Sequence, residues 1–369
     1  MSRVLQSSLF SQAVESVLHY RLVNCRRGAL LNTAMKTFEY RNFGLENLVL
    51  TEREMPAPSS NEVVVRIHAA SLNYRDVRFF KGVYNPNAKF PAVPLSDGAG
   101  EVIAIGDRVS RWKIGDRVCP IFMQGWLEGA LTPQKARTSL GGGNLDGVLR
   151  EYAAFDESGL VRIPDHLSYA EAATLPCAAV TAWHALVDFG KIKAGASVLI
   201  LGTGGVSIFA LQFAKMHGAR LIATSSSDEK IARVRALGAD ETINYKRTPD
   251  WDKEVLRLTG KLGVDHVVEV GGAGTLPKSL SAVRTGGGIS VIGVLAGGSG
   301  LDPVRLLMKS ICLQGIFVGS RQMFEEMNRA VALHQMRPMI DQTFPFDQAR
   351  EALAHMEKGL HFGKIVLTF

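Results

Sequence analysis

A glycine-rich turn contains the clearest candidate for a ligand-binding site in this chain. The segment LGTGGVS places Gly202, Gly204 and Gly205 between an apolar run and a stretch that favours a helix, with Ser207 where the GxGxxG pattern has its third glycine. Glycines allow a tight turn and let a phosphate approach the backbone, and the helix N-terminus attracts its charge. The order strand, turn, helix therefore predicts a dinucleotide site, and Ser207 is small enough to keep helix and strand close.

The choice of dinucleotide depends on the end of the next strand, about 20 residues further on, where an acidic side chain would bind the ribose hydroxyl of NAD. This chain has hydroxyl side chains at 224–227 instead, among them Ser225, and Lys230 and Arg233 follow in the next helix. Hydroxyls and a nearby cation suit a 2′-phosphate, so we predict NADP(H), with NAD(H) as the alternative. The competing interpretation is that Lys230 and Arg233 form a solvated helix face.

The cysteines and histidines show no ligand pattern of a metal centre. The four cysteines lie far apart without a CxxC pair, which argues against a disulfide framework and against a thiolate zinc cluster. Cys177 lies in an alanine-rich helical stretch, where a small packed residue is commoner than a nucleophile. We interpret His68, His166 and His184 as structural residues.

Two kinds of structure follow one another along the chain and must position these residues. From Met35 to about Leu160, short strands separated by Gly and Pro predict a mainly antiparallel β unit. A predicted helix over 169–189 then opens an alternation of strands and helices that is typical of a doubly wound parallel sheet. The strands predicted there are 197–201, 220–225, 264–270, 288–294 and 310–318. A last strand, 363–369, is expected to return to the first unit.

Charge and hydropathy restrict the partners. The formal charge is +7, yet Lys and Arg are scattered without a basic run, so we predict no nucleic-acid binding. A mildly basic surface also suits a phosphorylated cofactor. The most apolar stretch, 197–214, is interrupted by polar residues and glycines, so we predict no transmembrane segment.

The N-terminal 34 residues differ from the rest of the chain. They hold four Arg, five Ser and a single acidic residue, Glu15, a composition that resembles an organelle transit peptide. A disordered tail is a second interpretation, and an upstream extension before a start at Met35 is the one we favour. The expected location is cytoplasmic, or mitochondrial if residues 1–34 are a transit peptide.

With these motifs in place, the chain resembles the zinc-independent branch of the medium-chain dehydrogenase/reductase superfamily, near quinone oxidoreductases and enoyl reductases. The resemblance runs from Met35 to Phe369. Its marks are SLNYRDVRFFKGVY (71–84), PLSDGAGEV (94–102), GDRV (115–118), LPCAAVTAWHAL (175–186), LGTGGVS (201–207), LGADETINY (237–245), VGSR (318–321) and GKIVLTF (363–369). The resemblance implies an α/β protein in which a Rossmann doubly wound parallel sheet (161–318) is inserted in a GroES-like, mainly β catalytic domain (35–160 and 319–369).

The resemblance also implies roles for individual residues. Asn73 and Tyr84 would face the substrate cleft as hydrogen-bond donors. The cofactor-binding residues implied are Thr181 beside the nicotinamide, Gly202, Gly204, Gly205 and Val206 at the pyrophosphate, Ser225, Lys230 and Tyr245 around the adenosine phosphate, and Arg321 on the far side of the cofactor.

Zinc-dependent members of this superfamily hold a catalytic metal with two cysteines and a histidine. The corresponding residues here are Asn73, Ser96 and Cys177, and the lobe with four clustered cysteines is missing. One thiolate cannot build a tetrahedral zinc site, so we predict no metal. Asp76 and Asp97 stand near the lost metal position and are expected to order the cleft.

The resulting hypothesis is an NADPH-dependent reductase of a small-molecule substrate, a quinone or an α,β-unsaturated carbonyl, because an acceptor that is already electrophilic needs no Lewis acid. The alternatives are an alcohol dehydrogenase or carbonyl reductase using NAD(P), and a cofactor-binding protein with little turnover. The loop 124–148 could line the substrate pocket. Relatives dimerise through the strand that corresponds to 310–318, so a homodimer is expected.

Overall fold

The computed structural model describes residues 34–293, 301 and 303–369. The predicted extension, 1–34, therefore lies outside the described residues except for Ala34, which begins the first strand. None of the described helices is both long enough and apolar enough to cross a membrane.

The first unit is mainly β. Its strands are β1 (Ala34–Tyr40), β2 (Leu48–Glu54), β3 (Glu62–Ser71), β4 (Asp97–Ile105), β5 (Arg117–Pro120), β6 (Tyr152–Asp156) and β7 (Leu160–Arg162). The valine run of β3 is completely buried, as β-branched residues in a central strand should be. A Cβ at Gly100 of β4 would lie 2.1 Å from the Arg66 carbonyl oxygen, so glycine is required where these two strands approach.

Two short helices belong to this unit. Helix α1 (Tyr74–Phe80) is capped by Asn73, whose backbone N–H donates to the Asp76 carboxylate. Helix α2 (Pro133–Ala136) lies in the long loop 124–148 and is capped by the Thr132 hydroxyl.

The second unit is a six-stranded parallel sheet. Its strands are β8 (Ser197–Leu201), β9 (Arg220–Ser225), β10 (Glu241–Asn244), β11 (Val264–Glu269), β12 (Val283–Val291) and β13 (Cys312–Gly315), in the order β10-β9-β8-β11-β12-β13. This is the strand order of the doubly wound dinucleotide fold. The predicted fold class is thereby confirmed.

Helices follow the strands of this sheet. They are α3 (Tyr169–Ala172) and α4 (Val180–Trp183) before the sheet, then α5 (Gly205–Met216), α6 (Asp228–Ala236), α7 (Trp251–Leu258), α8 (Leu276–Ala282) and α9 (Pro303–Met308). The prediction of one continuous helix over 169–189 was wrong. The first α-helix ends after Ala172, because Pro176 has no N–H to continue the α-helical ladder. π-Helical turns follow at Leu175–Ala179 and His184–Phe189.

The C-terminal segment returns to the first unit. Helix α10 (Arg321–Leu333), strand β14 (Ile340–Pro345), helix α11 (Ala349–Glu357) and strand β15 (Lys364–Thr368) follow β13. Strand β15 pairs antiparallel with β3, and the backbone N–H of Gly363 donates to the Thr203 carbonyl at 3.0 Å. One short segment thus touches the β sheet and the glycine turn together.

Candidate active site

The glycine turn has the geometry that an anion-binding loop needs. Gly202 has φ 71°, a conformation that favours glycine, and its N–H donates to the Thr224 carbonyl at 3.0 Å. Gly204 begins helix α5 without any side-chain cap, and a Cβ there would meet nothing within 4 Å. The turn therefore presents an open face at the start of a 12-residue helix.

Ser207 replaces the third glycine of the fingerprint without separating the helix from the strand. Its side chain is buried, and its Oγ donates to the Leu201 carbonyl at 2.7 Å. The hydroxyl therefore ties the first turn of α5 to the end of β8. Because the first turn of an α-helix leaves N–H groups without intrahelical partners, this arrangement fits the pyrophosphate of a dinucleotide.

The residues predicted around the adenosine come together at the end of β9. Ser225 is the last residue of that strand and is buried, and its carbonyl accepts the Tyr245 N–H at 3.0 Å. Ser227 caps helix α6, so that Lys230 stands one turn into the helix. Tyr245 is exposed at the same edge.

Lys230 and Arg233 are not a freely solvated helix face. The Lys230 ammonium donates to the His361 carbonyl at 2.9 Å, and Arg233 pairs with Asp341 at 3.0 Å while lying 4.0 Å from the centre of the Phe362 ring. Partial burial lowers the pKa of Lys230, although Asp341 opposes that shift. Both cations are thus held against the C-terminal return segment next to Ser225.

The substrate side of the cleft contains a buried ammonium. Lys364, the first residue of β15, is 2% exposed and donates to the Leu72 carbonyl at 2.5 Å and to Asn73 Oδ1 at 2.7 Å. Its Nζ lies 3.9 Å from Asp97 Oδ2. Asp97 is completely buried and also accepts hydrogen bonds from the Ser96 hydroxyl and from the Cys177 backbone N–H.

The residues at the metal position do not fit a divalent cation. Burial raises the pKa of the Cys177 thiol, which disfavours the thiolate that zinc requires. The Lys364 ammonium is already bonded to Asn73, and a second cation there would be repelled. Over the described residues, no group of three or more His, Cys, Asp or Glu side chains could hold a metal ion.

Asn73 has a fixed orientation. Its Oδ1 accepts the Lys364 hydrogen bond, so its amide nitrogen faces away from that ammonium. The nitrogen is buried and forms no hydrogen bond of ordinary geometry with a described residue. Burial raises the pKa of the nearby Asp97 carboxyl, and Lys364 and Asn73 oppose that shift. Burial raises the pKa of the neighbouring Asp76 to about 6.

Tyr84 lies in the same cleft, against a guanidinium. The Arg75 Cζ is 4.7 Å from the centre of the Tyr84 ring and 4.4 Å from that of Phe122, and Arg75 donates to the Leu140 carbonyl at 2.8 Å. Burial raises the pKa of Tyr84, and Arg75 opposes the shift. Leu140 belongs to the loop 124–148, so that loop does contact the cleft.

The last two predicted cofactor residues lie in different surroundings. Thr181 is buried, and its hydroxyl donates to the Cys177 carbonyl at 2.6 Å, beside the charged cluster. Arg321 donates to the Ser158 carbonyl at 3.0 Å and lies 3.5 Å from Glu325. Neither of these two Arg321 contacts involves the glycine turn, and the role of Arg321 at the cofactor stays a prediction.

Sequence reasoning missed Lys364 and Arg75. Lys364 is a charged residue at the start of an otherwise apolar stretch, GKIVLTF, and that contrast was the available signal. Arg75 stands beside Asp76 and Arg78 in NYRDVRFF, so its sequence surroundings gave no such signal. By contrast, the three histidines interpreted as structural have local partners: His166 and His184 bond to backbone carbonyls, and His68 stacks on Tyr169.

Comparison with known proteins adds the family context. Residues 59–165 match the alcohol dehydrogenase GroES-like domain, and residues 205–332 match the zinc-binding dehydrogenase family. A zinc-type alcohol dehydrogenase-like protein of Schizosaccharomyces pombe is 43% identical over 335 residues, which cover 88% of this chain and 96% of the relative.

Two crystal structures share the fold over nearly the whole chain. An NAD-dependent alcohol dehydrogenase aligns with a TM-score of 0.83 at 35% identity, covering 91% of this chain and 100% of the other. A quinone oxidoreductase of Pseudomonas syringae aligns with a TM-score of 0.76 at 30% identity and the same coverage.

Proposed function

The chain belongs to the medium-chain dehydrogenase/reductase superfamily and is an oxidoreductase, and we propose that it is a zinc-independent, NADPH-dependent reductase of quinones or α,β-unsaturated carbonyls. The observation that carries this proposal is the Lys364 ammonium, which is bonded to Asn73 and close to Asp97 at the position where zinc-dependent relatives hold a metal. Without a Lewis acid to polarise an alcohol, the acceptor must be electrophilic on its own.

In this proposal, separate groups of residues bind the pyrophosphate, the 2′-phosphate and the acceptor. The N–H groups at the start of α5 hold the pyrophosphate, and Ser225 with Lys230 receives the 2′-phosphate. The nicotinamide, when bound, supplies a hydride. Asn73, held by Lys364, and Tyr84 donate hydrogen bonds to the acceptor oxygen and orient it.

The first test is a fluorescence titration of the purified protein with NADPH and NADH, together with a zinc analysis of the same sample. Tight NADPH binding without stoichiometric zinc supports the proposal. Preferential NADH binding would overturn the assignment of Ser225 and Lys230, and one zinc per chain would overturn the metal-free cleft.

The second test is NADPH oxidation with matched panels of quinones, enones and aldehydes. We expect turnover with the conjugated acceptors. Turnover restricted to aldehydes would instead indicate an alcohol dehydrogenase or carbonyl reductase, and NADPH binding without turnover on any panel would indicate a cofactor-binding protein.

A further inference from the structure

Arg75 is a second cation in the cleft, and its hydrogen-bonding capacity is largely unused. It follows Asn73 by two residues, in the first turn of α1. Its Nη2 donates to the Leu140 carbonyl, whereas Nε and Nη1 are shielded from solvent and have no hydrogen-bond partner among the described residues. A guanidinium normally offers five donors in a fixed fork, and a buried donor left unpaired costs about 1–3 kcal/mol.

The neighbouring acid does not satisfy these donors. Asp76 is the next residue, but one of its oxygens accepts the Asn73 backbone N–H, and the other is buried without a partner. The Arg75 charge still reaches the cleft, because it lowers the pKa values of Tyr84 and Cys177 against the stronger effect of their burial. Arg75 is therefore close to the residues that line the substrate side.

The guanidinium is held rather than mobile. It packs against the rings of Tyr84 and Phe122, and a Cβ added at Gly142 would lie 3.1 Å from its Nη2. Cation–π contacts fix the plane of the guanidinium without using its N–H groups. A cation held in this way, with donors unpaired and water excluded, is organised in advance for a negative charge that appears during a reaction.

We propose that Arg75 is a catalytic residue that binds the acceptor oxygen as this oxygen becomes anionic. The proposal rests on the reductase function given above. When a hydride adds to the β-carbon of an enone, the C=C pair moves next to the carbonyl carbon and the C=O pair moves onto oxygen. The substrate gains two electrons, the nicotinamide is oxidised, and the enolate is later protonated by solvent at the α-carbon. The positive charge of Arg75 neutralises the charge that develops on the oxygen.

The assignment predicts an acceptor whose carbonyl oxygen gains negative charge after hydride addition. Enones and quinones meet this condition, and simple aldehydes meet it as alkoxides, so the choice between them rests on the acceptor panels and not on Arg75. A permanent substrate carboxylate would also suit a guanidinium, but it would be bound equally in the ground state and in the transition state, which would change KM rather than kcat.

Binding of 4-nitrophenol to the complex with oxidised cofactor tests the anion site without any turnover. In the wild-type complex, we expect the phenol to bind as phenolate, with its apparent pKa lowered and the phenolate absorbance visible below its solution pKa. Arg75→Met should abolish this shift, Arg75→Lys should retain part of it, and guanidinium chloride should partly restore it in Arg75→Met. Arg78→Met, on the same helix, is the matched control. A full shift in Arg75→Met would overturn the proposal.

Turnover of an enone separates this inference from the proposed function. We expect kcat for Arg75→Met to fall about 100- to 1000-fold with little change in KM, the effect of losing one oxyanion donor, while the variant stays folded and its NADPH affinity stays at the wild-type value. An unchanged kcat would refute the role of Arg75 and leave the reductase function standing. The role of Arg75 would also be refuted if the substitution raised KM without lowering kcat, and did so only for acceptors that carry a carboxylate. Wild-type protein that binds the phenolate but reduces no acceptor would refute the reductase function and support the anion site.

Discussion

Replacing Lys364 by Met isolates the contribution of the buried ammonium to the fold. Methionine preserves most of the aliphatic stem, which packs against Gly205 of the glycine turn. The substitution removes the hydrogen bonds to Leu72 and Asn73 and the charge that faces Asp97. A completely buried carboxylate then has no cation beside it.

The cost follows from this arrangement. Breaking a buried pair by removing one partner costs about 3–5 kcal/mol, because the remaining charge is neither solvated nor paired. Protonation of Asp97 would reduce this cost, because the neutral carboxyl needs no counter-charge, and burial already raises the pKa of Asp97. We therefore expect a loss of about 3–5 kcal/mol at pH 8 and a smaller loss at pH 5, where the carboxyl of the variant is more readily neutral.

Denaturant unfolding of four proteins measures the effect: wild type, Lys364→Met, Asp97→Asn and the double variant. The double variant should be more stable than Lys364→Met, because the asparagine amide needs no counter-charge, and the coupling energy should be about 1–3 kcal/mol. A loss below about 1 kcal/mol in Lys364→Met, or additive single effects, would refute the interpretation of a buried charge pair.

Three further predictions concern a titrating carboxyl, the cofactor and assembly. Because burial raises the pKa of Asp76 to about 6, the native state holds this proton more tightly than the unfolded chain, and the contribution of Asp76 to stability falls as pH rises from about 4 to 6. Asp76→Asn should remove that dependence and gain up to about 3 kcal/mol at pH 8; unchanged pH curves in denaturant unfolding would contradict this. Lys230→Ala should weaken NADPH binding about 10- to 100-fold and leave NADH binding unchanged, whereas Lys253→Ala on the exposed face of α7 should change neither; equal losses for both cofactors would argue against a 2′-phosphate contact. A homodimer paired along the edge strand β13 should elute at twice the 40.0 kDa of the chain, and a single 40 kDa species at all concentrations would exclude it.

Much of the dinucleotide-binding unit could be predicted from local sequence. The strands Ser197–Leu201 and Arg220–Ser225 were predicted with their observed bounds, because each is an apolar, β-branched run bounded by glycine or polar residues. Strands β10 and β14 were not predicted. Both are short and polar, and they exist because an already formed neighbour, β9 or β15, offers an edge for pairing.

The candidate site also contains parts that could be predicted and parts that could not. The glycine turn is one contiguous segment, so its sequence alone predicts a dinucleotide site. The contact between Lys364 and Asn73 joins residues 291 positions apart, and a pattern search over short windows cannot find it. Arg75 was inside a recognised motif, but nothing in the motif shows that two of its N–H groups are buried without partners.

The return of the C-terminal strand links the cofactor turn to the substrate cleft physically. Gly363 bonds to the glycine turn through its N–H, and the next residue, Lys364, bonds to Asn73. The Lys364 stem also packs on Gly205. Any movement of the glycine turn would therefore displace the Lys364 side chain as well. Since Lys364 orients the Asn73 amide, the proposed function implies that one short segment positions both the cofactor and the acceptor. A change in that segment should therefore alter cofactor affinity and turnover together, whereas a change at Arg75 should alter turnover alone.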